Sequence, residues 1–379
     1  MKVEIDPKEA AGLSAVTVGL TKTRLWGMTS SERLSRIYRR LGLVEATPET
    51  VFVSGNVIVV DAGWVFDESL IKALAERPGV ALVDEAGRVV AVNVSALRAR
   101  DSIARLDTGE DVTALADTRL TALELGSAYN SALRKREPPV LERLTPETRV
   151  AVEKRLFQGS YKGVTDLVTK YVWPTPARVV TRWCALAKMT PNQVTLIGFI
   201  LTLAAFWLFW TGQFGWGLVC AWIMTFLDTV DGKLARVTLT SSKWGNVFDH
   251  GIDLVHPPFW WWAWYVGLGA MAFATPSGVL ALAVIVAGYV LQRVEEGIFL
   301  ALFKVEMHAW RPFDSFFRLI TARRNPNLIM LTLAWLAGRP DIGFMAVAVW
   351  TAICLLVHAV QILQGLATPK GGVVSWLSR

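Results

Sequence analysis

A mainly α chain, built as a six-helix transmembrane bundle preceded by a cytoplasmic α/β domain, is what three observations on these 379 residues predict. Two stretches of 39 residues, 189–227 and 254–292, contain no Asp, Glu, Lys or Arg. Each is too long for one membrane helix and matches two spans of about 20 residues joined by a tight turn. The apolar residues, 53% of the whole with 17 Trp, concentrate after about residue 190, the mark of a membrane protein. Residues 1–150 instead have an ordinary soluble composition and a strand, helix and hairpin order that suits a small α/β domain.

Along the first domain, residues 51–54 and 56–61 read as short buried strands. Residues 68–76 read as a helix entered after Asp67, and residues 80–94 as a hairpin turned at Glu85-Ala86-Gly87. Residues 151–190 form a charged, then aromatic linker, whose last piece, 179–188, sets Trp183 and Leu186 against Arg182 and Lys188. That pattern suits an amphipathic helix lying along the membrane surface, and equally an ordinary juxtamembrane segment. In the membrane domain, residues 191–370, turns show from Thr211 to Gly215 and from Thr275 to Gly278. Residues 327–338 are short for a fifth span, whereas 342–366 are ample for a sixth.

Orientation follows from the basic residues. Arg178, Arg182 and Lys188 precede the first span; Lys233, Arg236 and Lys243 separate the second from the third; Lys304, Arg311, Arg318, Arg323 and Arg324 separate the fourth from the fifth. The alternate loops carry little beyond Arg339, which has Asp341 beside it. Positive loops stay inside, so both termini face the cytoplasm, in a membrane of the bacterial inner type. The net charge of +7 expresses this asymmetry and an attraction to anionic membrane lipids, with no call for a nucleic-acid partner. Cys184, Cys220 and Cys354 show no metal or redox spacing and read as apolar fillers. The first ten residues lack the apolar core of a signal peptide.

Asp228, Asp231, Asp249 and Asp253 stand at the edges of the apolar runs, where an ionised Asp costs roughly 2.5–3.5 kcal/mol at a helix centre and less near the interface. Asp228, Asp231 and Ala235 fall at i, i+3 and i+7 on one face of the end of the second span, and Asp249 and Asp253, four apart, share a face at the start of the third. If those helix ends adjoin, the carboxylates meet in one volume, and their repulsion demands protonation or a multivalent cation. Oxygen ligands without His or Cys select a hard cation such as Mg²⁺, Mn²⁺ or Ca²⁺, and two such ions suit phosphoryl transfer. Gly232, Ala235 and Gly245 leave the helix faces bare for a flat or phosphorylated ligand, while Arg236 adds a cation able to pair with phosphate. The bland alternative, aspartates that only solvate helix ends, serves for any one of them and poorly for all four.

The string Asp228-x2-Asp231-Gly232-x2-Ala235-Arg236-x8-Gly245-x3-Asp249-x3-Asp253 resembles the signature of the CDP-alcohol phosphotransferases at all eight fixed positions. Pro191-Asn192-x-Val194-Thr195 resembles their entry motif, and the resemblance covers about residues 175–370. It implies transfer of a substituted phosphoryl group from a CDP-linked donor to an alcohol or lipid acceptor, with release of CMP, by a homodimer of phospholipid synthesis. It implies two divalent cations, Mg²⁺ or Mn²⁺, one held by Asp228, Asp231 and Asp249 and the other by Asp228, Asp249 and Asp253. In the same carry-over Asp253 deprotonates the acceptor hydroxyl, and Asn192, Gly232, Ala235, Arg236, Ser242 and Gly245 line the cytidine and pyrophosphate site. CMP leaves readily once its charge is neutralised, and the alcohol needs a base.

Phe248-Asp249-His250-Gly251 is similar to the choline and ethanolamine phosphotransferases, where the donor carries a small headgroup and the acceptor is a lipid. His250 then either shares the base role with Asp253 or turns away to bond a loop. His256, ahead of Pro257-Pro258, reads as structural, and the run Trp260-Trp261-Trp262 as a packing face or interfacial belt. Arg293, Glu295 and Glu296 read as mutually paired. The arginines of residues 308–327 read as meeting anionic lipid at the surface, with recognition of an acceptor phosphate as the alternative.

Some members of that family carry a fused cytidylyltransferase. Residues 16–43 lie where such a fold puts its first strand, phosphate loop and helix, and Asp61 where it puts a metal-binding aspartate, yet Gly19 and Gly27 alone make no glycine-rich loop. Residues 1–150 therefore read as nucleotidyltransferase-like and inactive. A bifunctional enzyme of the inositol-phosphate type, making its own CDP-alcohol, is the first rival. A cation transporter built on the aspartates is the second, and it asks for polar residues deeper in spans that are almost bare.

Overall fold

The computed structural model describes residues 13–48, 55–110, 116–126, 129–130, 133–270, 277–369 and 371–378, apart from the side chains of Lys243, Asn246 and Asp249. The strand expected at 51–54 and the Thr275-Pro276 half of a turn lie outside the described residues. The chain divides into two compact units, one of Met1–Ser131, Arg136–Tyr161 and Arg236–Thr240, the other of Ala132–Lys135, Lys162–Ala235 and Ser241–Arg379.

In the first unit, strands β1 (Leu13–Val18), β2 (Val44–Ala46), β3 (Asn56–Asp61), β5 (Val80–Val83), β6 (Val89–Ser95) and β7 (Thr118–Thr121) form one sheet in the order β2-β1-β3-β6-β5-β7. The short β4 (Trp64–Phe66) pairs with Leu141–Arg143 instead. β1 is parallel to β2 and β3, β5 is parallel to β7, and β6 is antiparallel to both neighbours. Alternation along β3 sends Ile58 and Val60 to a core with Leu34 and Ile37 of α1 (Ser30–Leu41) and Leu70 and Leu74 of α2 (Glu68–Ala75). Val57 and Val59 face the opposite way, onto Ala99, Ile103 and Leu106 of α3 (Ala96–Thr108). A strand covered on both faces has no solvent side, which is why β3 is an uninterrupted apolar run. The short α4 (Ala122–Leu125) and α5 (Arg149–Gly159) complete the helices of this unit.

Local signals set the boundaries. Thr29 and Glu32 form a capping box at α1, and Asp67 caps α2 by accepting from the Ser69 amide, as the sequence predicts. The 80–94 hairpin closes with Gly87 at φ +80° and the Asp84 carboxylate accepting from the Ala86 and Arg88 amides. Asp61 ends β3 and accepts from the Gly63 amide (2.7 Å); burial pushes its carboxyl above the ordinary range.

The second unit is helical: α6 (Pro174–Leu186), α7 (Pro191–Trp210), α8 (Phe214–Val237), α9 (Lys243–Leu268), α10 (Ser277–Phe303), α11 (Pro312–Phe317), α12 (Arg324–Leu336) and α13 (Pro340–Ala367). Thr190 and Gln193 form a capping box with Pro191 in the first helical turn of α7. Gly212 (φ +74°) turns α7 into α8, and Gly338 (φ +71°) turns α12 into α13. Among the described residues, α7, α10 and α13 are the helices long and apolar enough to cross a membrane. α12 has 13 residues, about 20 Å at helical rise, against a hydrocarbon core of about 30 Å.

Trp260, Trp261 and Trp264 are buried in the helical core with Phe209, Phe214 and Phe344. The Trp260 indole donates to the Thr202 carbonyl (3.0 Å) and Trp264 to that of Pro340 (3.3 Å), so their polar edges are satisfied. Trp262 points outward, 42% exposed. The Trp run is thus a packing face with one outward member.

Candidate active site

Asp228 and Asp231 lie on the last turns of α8, and Asp253 lies about three turns into α9. The guanidinium of Arg324, the first residue of α12, reaches across to both helices. Its Nη2 donates to Asp228 Oδ2 and its Nη1 to Asp253 Oδ1. Two carboxylates that the helix phases placed on facing ends therefore share one volume. Asp231 is buried, and Thr195 of α7 donates through Oγ1 to its Oδ2 (2.5 Å). Asp231 Oδ1 is buried with no hydrogen-bond partner among the described residues, a costly condition unless a ligand completes it. The Asp249 backbone stands one turn before Asp253 in α9, and its side chain lies outside the described residues.

Asn192, Ser242 and Gly245 come together beside this cluster's helices. Ser242 caps α9, its Oγ accepting from the Gly245 amide at 3.0 Å. A Cβ on Gly245 would stand 2.8 Å from Asn192 Oδ1 and 3.0 Å from Ser242 Oγ, so crowding rather than backbone conformation requires glycine here. Gly232 and Ala235, half-buried, follow Asp231 on α8. Arg236 Nη1 donates to the Ser160 carbonyl (3.3 Å), and His250 is exposed on α9. His256 is buried as a structural residue, with Nδ1 2.7 Å from the Ile252 carbonyl and the ring edge-on to Trp260.

A further positioning device is missed by the sequence reading. Pro257 and Pro258 sit inside α9 and lack the N–H groups that would bond the carbonyls four residues back, those of Asp253 and Leu254. The Tyr289 hydroxyl of α10 lies against those two oxygens, at 3.4 Å and 3.0 Å. Carbonyls freed inside an apolar helix need such a partner, and here it fixes the backbone that carries Asp253. The signal was available in the paired prolines, whose partner could not be named without the packing.

The loop arginines depart from the surface-lipid expectation. Arg323 Nη2 donates to Glu296 Oε1 and Arg293 Nη1 to Glu296 Oε2 (3.3 Å), with His308 Nε2 3.2 Å from Oε1. Arg293 and Glu296 thus pair as expected, whereas Glu295 lies 3.5 Å from His358 Nδ1. Arg311 forks onto the fully buried Asp314 through Nε and Nη2, both at 2.9 Å. Burial pushes the Arg318 guanidinium down to about 9, with Asp166 opposing the shift. Asp166 itself stays below the ordinary carboxylate range because, against burial, Arg318 and bonds from Asn325 and Thr169 favour its charge. These cations face inward because each buried carboxylate needs one. Glu296, His308 and His358 bring ligand atoms within 4.8 Å of one another, but a dication there would sit against the two guanidinium groups already on Glu296.

Compared with known proteins, residues 188–360 match the family described as CDP-alcohol phosphatidyltransferase. Over 79 residues the chain is 40% identical to archaetidylinositol phosphate synthase of Pyrococcus horikoshii, covering 21% of this chain and 42% of that protein. Over 93 residues it is 33% identical to phosphatidylinositol phosphate synthase of Streptomyces avermitilis, covering 24% and 38%. Over 149 residues it is 27% identical to cholinephosphotransferase 1 of Xenopus laevis, covering 35% and 33%. The chain spans less than half the length of these curated relatives.

Proposed function

We infer, from the CDP-alcohol phosphatidyltransferase domain that residues 188–360 form, that this chain is an integral membrane transferase of phospholipid biosynthesis. It moves a substituted phosphoryl group from a CDP-linked donor to an alcohol acceptor and releases CMP. The observation that carries the reading is the meeting of Asp228 and Asp253 on one guanidinium, because it brings carboxylates of α8 and α9 into a single site.

The residues present fit the divalent cations that the family implies. Asp228, Asp231, Asp249 and Asp253 would hold them; the donor set is all oxygen, and Asp231 Oδ1, without a partner among the described residues, has room in its bonding for a cation. When bound, such ions neutralise charge on the donor's phosphates and on the departing CMP. The protein's own part is positioning and proton transfer. Asn192, Ser242 and Gly245 receive the nucleotide, while Gly232 and Ala235 keep the α8 face low and Arg236 offers a guanidinium to phosphate. Asp253, with a side chain 38% exposed, is open to the acceptor and takes its hydroxyl proton. His250, exposed three residues before it, shares that role in this reading.

In this reading α7, α8, α9, α10, α12 and α13 cross the membrane, with the basic loops and the aspartates on the cytoplasmic side. α6 lies along the surface, where Val179, Trp183 and Leu186 expose apolar side chains. The N-terminal unit is an inactive nucleotidyltransferase-like domain, and the chain works as a homodimer.

The test is transfer from labelled CDP-alcohols by the full chain, with and without Mg²⁺ or Mn²⁺, in the parent and in Asp253→Asn. CDP-choline or CDP-ethanolamine offered with diacylglycerol, and CDP-diacylglycerol offered with a phosphorylated polyol, separate the acceptor classes. Metal-dependent CMP release that Asp253→Asn abolishes is expected; full turnover by the variant would overturn the role of Asp253.

A further inference from the structure

We propose that Arg324 is a tethered counter-cation that holds Asp228 and Asp253 together in the metal-free protein and must leave them when a divalent cation binds. The inference rests on the reading of these aspartates as metal ligands. It concerns a residue outside the aspartate signature, on a different helix.

The contacts are specific. One guanidinium spends its two terminal nitrogens on two carboxylates from two helices, Asp228 Oδ2 on α8 and Asp253 Oδ1 on α9. Its side chain is 14% exposed, against 22% for Asp228 and 38% for Asp253, so the guanidinium is largely withdrawn from water while Asp253 keeps an open side. Without a cation, carboxylates brought together at adjoining helix ends would repel or take up protons. Arg324 supplies one positive charge in their midst. A dication taking the same oxygens meets that guanidinium at close range and with like charge, so the two occupants compete.

The backbone on either side of Arg324 is anchored elsewhere. Arg323 holds Glu296, and Asn325 Nδ2 donates to Asp166 Oδ1 (2.9 Å) and Thr169 Oγ1 (3.3 Å). The start of α12 is therefore pinned at both neighbours. Exchange of Arg324 for a metal ion is a swing of one long side chain, with α8, α9 and α12 left in place. The clamp keeps the carboxylates preformed for the metal and lowers the apparent affinity with which it binds.

The measurement is Mn²⁺ titration of the EDTA-stripped full chain in detergent, followed by the electron paramagnetic resonance of free Mn²⁺, for the parent, Arg324→Gln, Arg324→Lys and Arg339→Gln. Arg324→Gln should bind Mn²⁺ at least about tenfold more tightly, the size of one charge-assisted hydrogen bond. Arg324→Lys, with a point charge and no fork, should fall between, and Arg339→Gln, which removes a charge paired to Asp341, should match the parent. Thermal unfolding should show the metal-free Arg324→Gln less stable than the parent and more strongly protected by Mn²⁺. Unchanged or weaker Mn²⁺ binding by folded Arg324→Gln overturns the proposal. If that variant does not fold, parent-like affinity in Arg324→Lys overturns it instead. Failure of the parent itself to bind Mn²⁺ would overturn the metal reading beneath it.

Discussion

Two charge clusters lie in the helical unit, and they are opposite in balance. Where α8 ends and α9 begins, Asp228 and Asp253 share the guanidinium of Arg324, with Asp231 one turn along α8 from Asp228 and bonded to Thr195. Beside α10, Glu296 faces the guanidinium groups of both Arg293 and Arg323. By residue type the cluster around Glu296 is the better metal site, since Glu296, His308 and His358 converge within 4.8 Å. Charge says the reverse. A dication would relieve repulsion among the aspartates and add repulsion beside Glu296, which supports reading the aspartate cluster as the proposed site of chemistry and the Glu296 cluster as a structural lock.

Breaking each cluster should give different kinds of loss. The largest effect belongs to Asp253→Asn, which should lower CMP release by roughly 10²–10⁴-fold, the usual contribution of a positioned base, while thermal unfolding in detergent still shows a folded protein. Glu296→Gln should do the converse. It strands two guanidinium groups whose side chains are 20% and 25% exposed, and should cost about 3–5 kcal/mol of stability, read as a lowered unfolding midpoint that Mn²⁺ does not restore. If Mn²⁺ protected the parent through Glu296, His308 and His358, the contrast between the clusters would collapse.

The lock can also be probed by pH. Burial holds His308 neutral, its pKa lowered from 6.5 to about 3. As pH falls below 6.5 the unfolded chain takes up a proton that the folded one refuses, so the contribution of His308 is complete above that pH. It is lost progressively down to about pH 3. His308→Gln should flatten that part of the stability profile, and an unaltered slope would remove His308 from the account.

A smaller effect sharpens the aspartate side. Tyr289→Phe leaves the Asp253 and Leu254 carbonyls without their partner and should cost about 1–3 kcal/mol. Pro257→Ala restores an N–H to the Asp253 carbonyl, so the double variant should recover part of the loss. Additive losses in that cycle would show that the hydroxyl and the prolines act independently.

Much of the candidate site was legible because its spacing is local. Asp228 with Asp231, and Asp249 with Asp253, are related by one helical turn, and the period of the α-helix places them whatever the rest of the chain does; Ser242 came only through the family resemblance. The strand at 56–61, the helix after Asp67 and the 80–94 hairpin were readable for the same reason, from a short apolar run, a cap and a turn glycine. The order of the sheet was not, because parallel neighbours such as β1 and β3 are joined through a helix and pair at a distance.

What the amino-acid order determined by itself was therefore the membrane character of residues 189 onward, the helix phases and the set of aspartates aimed from two helix ends. Only the tertiary structure decided their counter-charge. Arg324 lies 96 residues from Asp228 and 71 from Asp253, in a loop whose five basic residues are explained equally well by the inside-positive rule. Charge acts through space and not along the chain, so which arginine closes on Glu296 and which stands between Asp228 and Asp253 became visible only once the helices were packed.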